Sequence, residues 1–242
     1  MMAEIKDKIV TVESLSELHG YNKEVYMTKS NPIGTGSLSL NRKENTTVGE
    51  YSVAEGYNCT ASGYASHAEN NSTASGNYSH AEGHTTTASA QSSHAEGDYT
   101  KASGMYSHAE GYATEATESC AHAEGNDSVA SGLFSHAEGS STEASGMASH
   151  AEGNGTIAQG DCQHVEGKFN IKDNANKYAH IVGNGSSTNS RSNAYTLDWY
   201  GNAWFAGNIK ADGRIIVSSN VFGDELPEAG TVGRIFFKKF TE

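Results

Sequence analysis

A short repeat with a strict spacing limits what this chain can fold into. The sequence Ser-His-Ala-Glu-Gly, or a close variant, begins nine times, at Ser52, Ser66, Ser79, Ser93, Ser107, Ala121, Ser135, Ser149 and Gln163. Successive copies are 14 residues apart, except for one step of 13 between His67 and His80. This period excludes a solenoid of helix pairs, because each helix pair needs more than about 30 residues.

Each 14-residue repeat divides into two similar halves. The first half reads Ser-His-Ala-Glu-Gly-x-x, and the second reads Thr-x-Ala-Ser-Gly-x-x, as in residues 100–106. Small side chains at alternate positions favour a short strand, and a glycine followed by two variable residues favours a tight corner. One repeat therefore predicts one coil with two strands and two corners.

The repeat region contains too few large apolar residues for an ordinary core. Between Tyr51 and Gly167 there are eight Val, Ile, Leu, Met or Phe residues. Alanine and serine can fill only a thin interior, so the two strands of each coil must lie close together. The sequence predicts an all-β fold, a parallel β-solenoid with 14-residue coils.

Side-chain alternation assigns the faces of the first strand. Because successive side chains point to opposite faces, Ser and Ala fill the interior while His and Glu point outward. Stacked coils then align the outward residues in a His/Glu ladder. Its predicted members are His67, His80, His94, His108, His122, His136, His150, His164, Glu69, Glu82, Glu96, Glu110, Glu124, Glu138, Glu152 and Glu166.

The two corners differ in polarity. The corner after the first half is mostly polar, whereas the corner after the second half, called here the apolar corner, carries Tyr64, Tyr78, Met105, Tyr106, Leu133, Phe134 and Met147. Exposed apolar groups of this extent indicate a contact surface. We therefore expect a homotrimer around the rod axis, in which the apolar corner and the His/Glu ladder contact other copies of the chain.

The negative charge of the chain limits its binding partners and affects the His/Glu ladder. The chain carries 16 Lys and Arg against 29 Asp and Glu, a net charge of −13. This negative charge excludes nucleic acid as a partner. Glutamates stacked along a rod repel one another, so we expect histidine and glutamate to pair across the subunit boundary and the histidine pKa values to rise on folding.

The His/Glu ladder also has the residue types of a metal or catalytic site. Imidazole and carboxylate both bind metals, but the ladder repeats one environment and offers no distinct cluster. Catalysis needs one differentiated pocket, and the Ser and His of one copy point to opposite faces. A structural interface is therefore the favoured interpretation, with no metal, cofactor or catalytic residue.

The flanking segments predict attachment and capping elements. Ser14 and Glu17 fit a capping box, and Gly20 fits the end of a short N-terminal helix. Gly201–Asn202 and Asp212–Gly213 each favour a β-hairpin in a C-terminal cap. The predicted division is an attachment segment over 1–35, the repeat domain over 36–170 and the cap over 171–242. The cap aromatics Trp199, Tyr200, Trp204 and Phe205 are candidates for receptor binding.

Residues 51–167 resemble the head repeats of trimeric autotransporter adhesins, through the Ser-x-Ala-x-Gly frame in 14-residue coils. That resemblance implies a left-handed parallel β-roll and a homotrimer. Here His and Glu replace the aliphatic residues of that pattern. The flanks, including residues 180–185, 191–207 and 222–237, resemble tail-fibre and appendage proteins of bacteriophages, in which Ser-His-Ala-Glu-Gly repeats also occur.

These resemblances imply a non-enzymatic virion tail fibre that serves as a rigid spacer and attaches to the host. Its expected partners are tail or baseplate proteins and a glycan or protein on the host surface. The opening residues lack the apolar core of a signal peptide and no apolar run is long enough to span a membrane, so we expect synthesis in the host cytoplasm and assembly into the virion. The alternatives are a fibre-borne enzyme, either a glycan depolymerase or a self-cleaving fibre, and a prophage-encoded surface adhesin.

Overall fold

The computed structural model describes residues 34, 36–40 and 46–210. Over this part of the chain the protein is all-β and contains no helix, so none that could span a membrane. The strands form a parallel β-solenoid of about ten coils. The predicted N-terminal helix and the hairpin at Asp212–Gly213 lie outside the described residues.

Twenty strands make up the described fold. In chain order they are β1 (Leu38–Leu40), β2 (Val53–Glu55), β3 (Thr60–Ala61), β4 (His67–Glu69), β5 (Asn71–Ala74), β6 (His80–Ala88), β7 (His94–Asp98), β8 (Lys101–Ala102), β9 (His108–Tyr112), β10 (Glu115–Ala116), β11 (His122–Asn126), β12 (Val129–Ala130), β13 (His136–Ser140), β14 (Glu143–Ala144), β15 (His150–Asn154), β16 (Ile157–Ala158), β17 (His164–Lys168), β18 (Tyr178–Asn184), β19 (Asn193–Asp198) and β20 (Ala203–Phe205).

Two parallel faces run along the solenoid. The first half of each repeat forms one face, in which β1, β2, β4, β6, β7, β9, β11, β13, β15, β17 and β18 pair in turn. The second half forms the other, through β3, β5, the end of β6, β8, β10, β12, β14 and β16. Equivalent residues pair in register, as in His122 with His136 and Glu124 with Glu138.

The interior is as thin as the composition requires. The alanine at the third position of each half is buried, and from Ala54 to Ala158 every such alanine has no exposed surface. The Ser or Thr that precedes each strand is buried as well, as at Ser107 and Thr114. The prediction that small residues face inward and that His and Glu face outward is confirmed.

The 13-residue step is absorbed at one corner without loss of register. Asn71 pairs with His84, and two residues later Thr73 pairs with Thr87, three residues beyond His84. The strands on both sides keep their pairing, since His67 still aligns with His80 and Ala74 with Ala88. The missing residue therefore shortens the corner rather than either strand.

Glycine is required where the first strand reaches its corner. Gly125 has a φ of +99°, a conformation that L side chains rarely adopt. A Cβ atom there would also collide with the carbonyl oxygen of Gly139 in the next coil. Gly97, Gly111 and Gly139 are in the same situation, so the glycine allows both the turn and the close approach of successive coils.

The solenoid continues beyond the recognisable repeats. β18 lies parallel to β17, with His180 opposite His164 and Gly183 opposite Gly167. The chain then reverses into the antiparallel strands β19 and β20. The hairpin predicted around Gly201–Asn202 is confirmed, but its loop has four residues, because Asp198 accepts hydrogen bonds from the backbone N–H groups of Tyr200 and Asn202.

Side-chain amides close the C-terminal end of the interior. Asn170 is fully buried, accepts a hydrogen bond from Ile157 N and donates one to Ile157 O, as a neighbouring strand would. Gln163 stands where other copies have serine. Its side chain accepts from Gly160 N and donates to Asp173 and to the carbonyl of Tyr178. These contacts occupy backbone groups that the next coil would otherwise pair.

Candidate functional site

The His/Glu ladder forms a continuous column on the outside of the first face. The nine imidazole rings of the column lie parallel within 6°, at centroid distances of 4.7–4.9 Å. The side chains of the ladder are about one third exposed. The column contains all eight predicted histidines and also His180 on β18, which the sequence analysis missed although His180 and Gly183 repeat the His-x-x-Gly spacing.

Each histidine meets the glutamate of the preceding coil. The distance from His108 Nε2 to Glu96 Oε1 is 3.3 Å, and the equivalent distances along the ladder range from 3.3 to 3.8 Å. These pairs form within one chain, and the predicted pairing across a subunit boundary is not tested by them. The contact of the ladder with other copies stays a prediction.

The stack also determines how two of the histidines titrate. Burial lowers the pKa of His136, and the adjacent imidazoles of His122 and His150 lower it further. The pKa of His164 is lowered in the same way by burial and by His150 and His180. The predicted rise is therefore wrong for these two residues, because burial and like-charge repulsion along the stack outweigh the attraction of the carboxylates.

Neighbouring histidines lower the pKa of one glutamate in the ladder. Burial alone would raise the pKa of Glu110, but the charge of His108 and the hydrogen bond with His122 bring it below its ordinary value. The carboxylate form of Glu110 is therefore favoured. The ladder presents a row of anionic oxygens next to a row of nitrogen atoms.

The apolar corner lies on the surface as a ridge. Tyr64, Tyr78, Met105, Tyr106, Leu133, Phe134 and Met147 are 37–57% exposed. At its N-terminal end Tyr51 joins the ridge, with ring centroids 5.5 Å from Tyr64, and Tyr64 is 5.5 Å from Tyr78. The described part of the chain leaves this ridge largely uncovered.

The opposite corner is more aromatic than the sequence analysis indicated. Tyr57, Tyr99 and Tyr112 are 48–81% exposed there. The ring of His84 lies 5.5 Å from that of Tyr99, and its Nδ1 is 2.7 Å from Asp98 Oδ1. This corner is a mixed surface, because the same position holds tyrosine, histidine, aspartate or asparagine in different coils.

The four cap aromatics are all exposed but do not form one cluster. Trp199, Tyr200, Trp204 and Phe205 are 46–92% exposed. Phe205 packs on Tyr195 at 4.9 Å, and Tyr195 meets the end of the imidazole stack at His180, 5.6 Å away. Trp199 Nε1 donates to the carbonyl of Asn176. Among the described residues they build no buried core, the alternative role for aromatics in a cap.

Arg191 joins the cap to the solenoid, and Asp198 holds the loop of the hairpin. Arg191 donates from one guanidinium nitrogen to the carbonyl oxygens of Gly155 and Asn170, and its guanidinium lies over Phe169. Hydrogen bonds from Asn202 and Tyr200 lower the pKa of Asp198. Both side chains support the hairpin that presents the cap aromatics.

In comparisons with known proteins, no model of a protein family matches this chain and no curated protein is similar to it.

Proposed function

We propose that the protein is a non-enzymatic, trimeric fibre of a virion, in which the solenoid is a rigid spacer and the C-terminal cap attaches to the host surface. The observation that carries this proposal is the in-register stack of coils with the same outward surface in each coil. A surface that repeats along a rod suits a spacer, because every coil contacts only its neighbours and the length grows with the number of coils.

The exposed ridge supports a trimer. Residues such as Tyr106 (55% exposed) and Phe134 (57% exposed) lose contact with water only if another surface covers them. Burying one large apolar side chain contributes about 1.5–3 kcal/mol. A ridge of seven such residues in each of three copies would supply a substantial part of the association free energy.

The trimer is tested by removing the ridge and leaving the fold. The double variant Tyr106→Ser and Phe134→Ser should dissociate at concentrations where the wild type stays assembled, as followed by light scattering after size-exclusion chromatography. The matched control is Tyr99→Ser and Tyr112→Ser on the opposite corner, which should leave the mass unchanged. Dissociation of the control but not of the ridge variant would contradict the proposed interface.

The cap supports attachment to a saccharide or protein on the host. Exposed Trp and Tyr rings provide flat apolar surfaces with a polar edge, which suit stacking on sugar rings. Binding of the full chain to an array of bacterial cell-surface glycans tests this role. We expect specific binding that is lost in Trp199→Ala with Trp204→Ala and kept in Tyr57→Ala, whose ring is exposed at the other end of the rod. Unchanged binding in the tryptophan variant would assign attachment to another surface.

A further inference from the structure

The His/Glu ladder brings metal-ligating atoms together in a repeating group of three. Each group contains the histidines of two successive coils and the glutamate of the first. In the group His67, Glu69 and His80, Glu69 Oε1 lies 3.4 Å from His67 Nε2 and 3.6 Å from His80 Nε2. Five such groups have all three ligand atoms within 4.8 Å of one another.

These distances are close to those around a zinc ion. With bonds of about 2.0–2.2 Å, ligand atoms on a tetrahedral Zn²⁺ lie roughly 3.3 Å apart. The nitrogen-to-oxygen distances already match this spacing. The two nitrogens must approach by about 1.5 Å, and because the stacked rings are parallel, both rings must rotate until their lone pairs converge.

The imidazoles are free to make this movement. Nε2 of His80, His94, His136 and His150 makes no hydrogen bond within the described residues, although a glutamate Oε1 lies 3.3–3.8 Å away and each nitrogen is shielded from water. The rings are about one third exposed and lie outside the coil, so rotation leaves the alanine interior intact. Between Tyr51 and Gly167 the chain has 15 acidic residues and one Lys or Arg, Lys101, which favours a bound cation.

We propose that the His/Glu ladder is a linear array of zinc sites, each made of two histidines from successive coils and the glutamate between them. Each site supplies two nitrogens and one oxygen and leaves the fourth position for water. An imidazole nitrogen binds one ion at a time, so overlapping groups compete. Of the five groups, at most three can be filled together without sharing a histidine, which predicts about three zinc ions per chain.

Adjacency of histidines, rather than their number, is the testable requirement. One variant replaces alternate members, His80, His108, His136 and His164, by glutamine, and its five remaining ladder histidines are two coils, or roughly 9.6 Å, apart. The matched variant replaces four consecutive members, His136, His150, His164 and His180. It keeps five neighbouring histidines and can fill two of the groups at once.

Equilibrium dialysis of the tag-free full chain against ZnCl₂, followed by metal analysis, distinguishes the two variants. We expect about three ions on the wild type, about two on the consecutive variant and none on the alternate variant. His84→Asn, which removes a histidine outside the ladder, should bind as the wild type does. Cobalt(II) should give the visible absorption of a tetrahedral site in the wild type and the consecutive variant only. Equal binding by the two variants, or none by the wild type, would overturn the proposal.

Discussion

Replacing Gly125 by alanine tests whether the corner glycine permits successive coils to approach one another. Two costs add at this position. A side chain at a φ of +99° costs about 1–3 kcal/mol in backbone strain. The new Cβ atom would also lie closer than 3.0 Å to the Gly139 carbonyl oxygen, which belongs to the backbone and cannot rotate away.

The second cost is a loss of backbone hydrogen bonds between neighbouring coils. To admit the methyl group, coils must separate locally, which weakens the pairing of Gly125 with Gly139 and of its neighbours. Losing two or three hydrogen bonds at about 1 kcal/mol each adds roughly 2–3 kcal/mol. We therefore expect Gly125→Ala to lower the free energy of unfolding by about 3–6 kcal/mol.

Gly201 provides a matched control that separates the two costs. It also has a positive φ, +85°, but a Cβ atom there would have no neighbour within 4 Å. Gly201→Ala should cost only the strain, about 1–3 kcal/mol. Urea unfolding followed by circular dichroism measures both variants. If Gly125→Ala is no more destabilising than Gly201→Ala, close packing between coils is not the reason for the glycine.

Three further predictions address the interior, the end of the rod and the imidazole stack. Ala130 faces the thin interior, so Ala130→Leu should destabilise the fold by about 1–3 kcal/mol or more. Val129→Leu, on the outward face of the same strand, should change the urea midpoint little. Equal effects of the two substitutions would contradict the assignment of faces. Asn170→Leu leaves the N–H and C=O groups of Ile157 unpaired and should lower the free energy of unfolding by about 2–4 kcal/mol. Asn126→Leu, at an exposed corner, should not lower it. The direct measurement is the protection of the Ile157 amide from hydrogen exchange. Folding lowers the pKa values of His136 and His164 from the ordinary 6.5, so the unfolded chain binds more protons than the folded chain just below pH 6.5. With a chelator present, the free energy of unfolding should therefore have its full value above pH 6.5 and fall as the pH drops through 6.5. The urea midpoint should then be higher at pH 7.5 than at pH 5.5, and the reverse order would show that protonation strengthens the ladder.

The repeat made the architecture of the solenoid predictable. A period of 14 with small residues at alternate positions determines the register and the buried face, and the structure follows both from Ala54 to Ala158. The single 13-residue step was visible in the sequence, but its position within the coil was not, because deleting a residue from a corner or from a strand gives the same spacing.

The ends of the solenoid were much harder to predict. β1 and β18 pair with the repeats as further coils, yet residues 38–40 and 178–184 lack the Ser-His-Ala-Glu-Gly sequence. Asn170 and Gln163 act through side-chain hydrogen bonds to backbone groups, which no periodicity reveals. These positions close the rod once, so they have no repeat that could identify them.

The candidate site was predictable in position and not in its interactions. Alternation placed His and Glu outside the coil, but the distance to a partner depends on how each side chain leans along the rod. His108 leans toward Glu96 of the preceding coil, so the pairing is internal to the chain. At His136, burial and then repulsion from the stacked imidazoles outweigh the attraction of the glutamates, so the pKa falls on folding.

The mass of the protein in solution tests the fibre account most directly. Sedimentation equilibrium of the full chain at neutral pH, with a chelator to remove metal, measures the mass independently of molecular shape. A trimer predicts about three times the chain mass of 25.5 kDa. A mass of one chain at all concentrations would contradict it, because the ridge and the His/Glu ladder would then face water in the native protein.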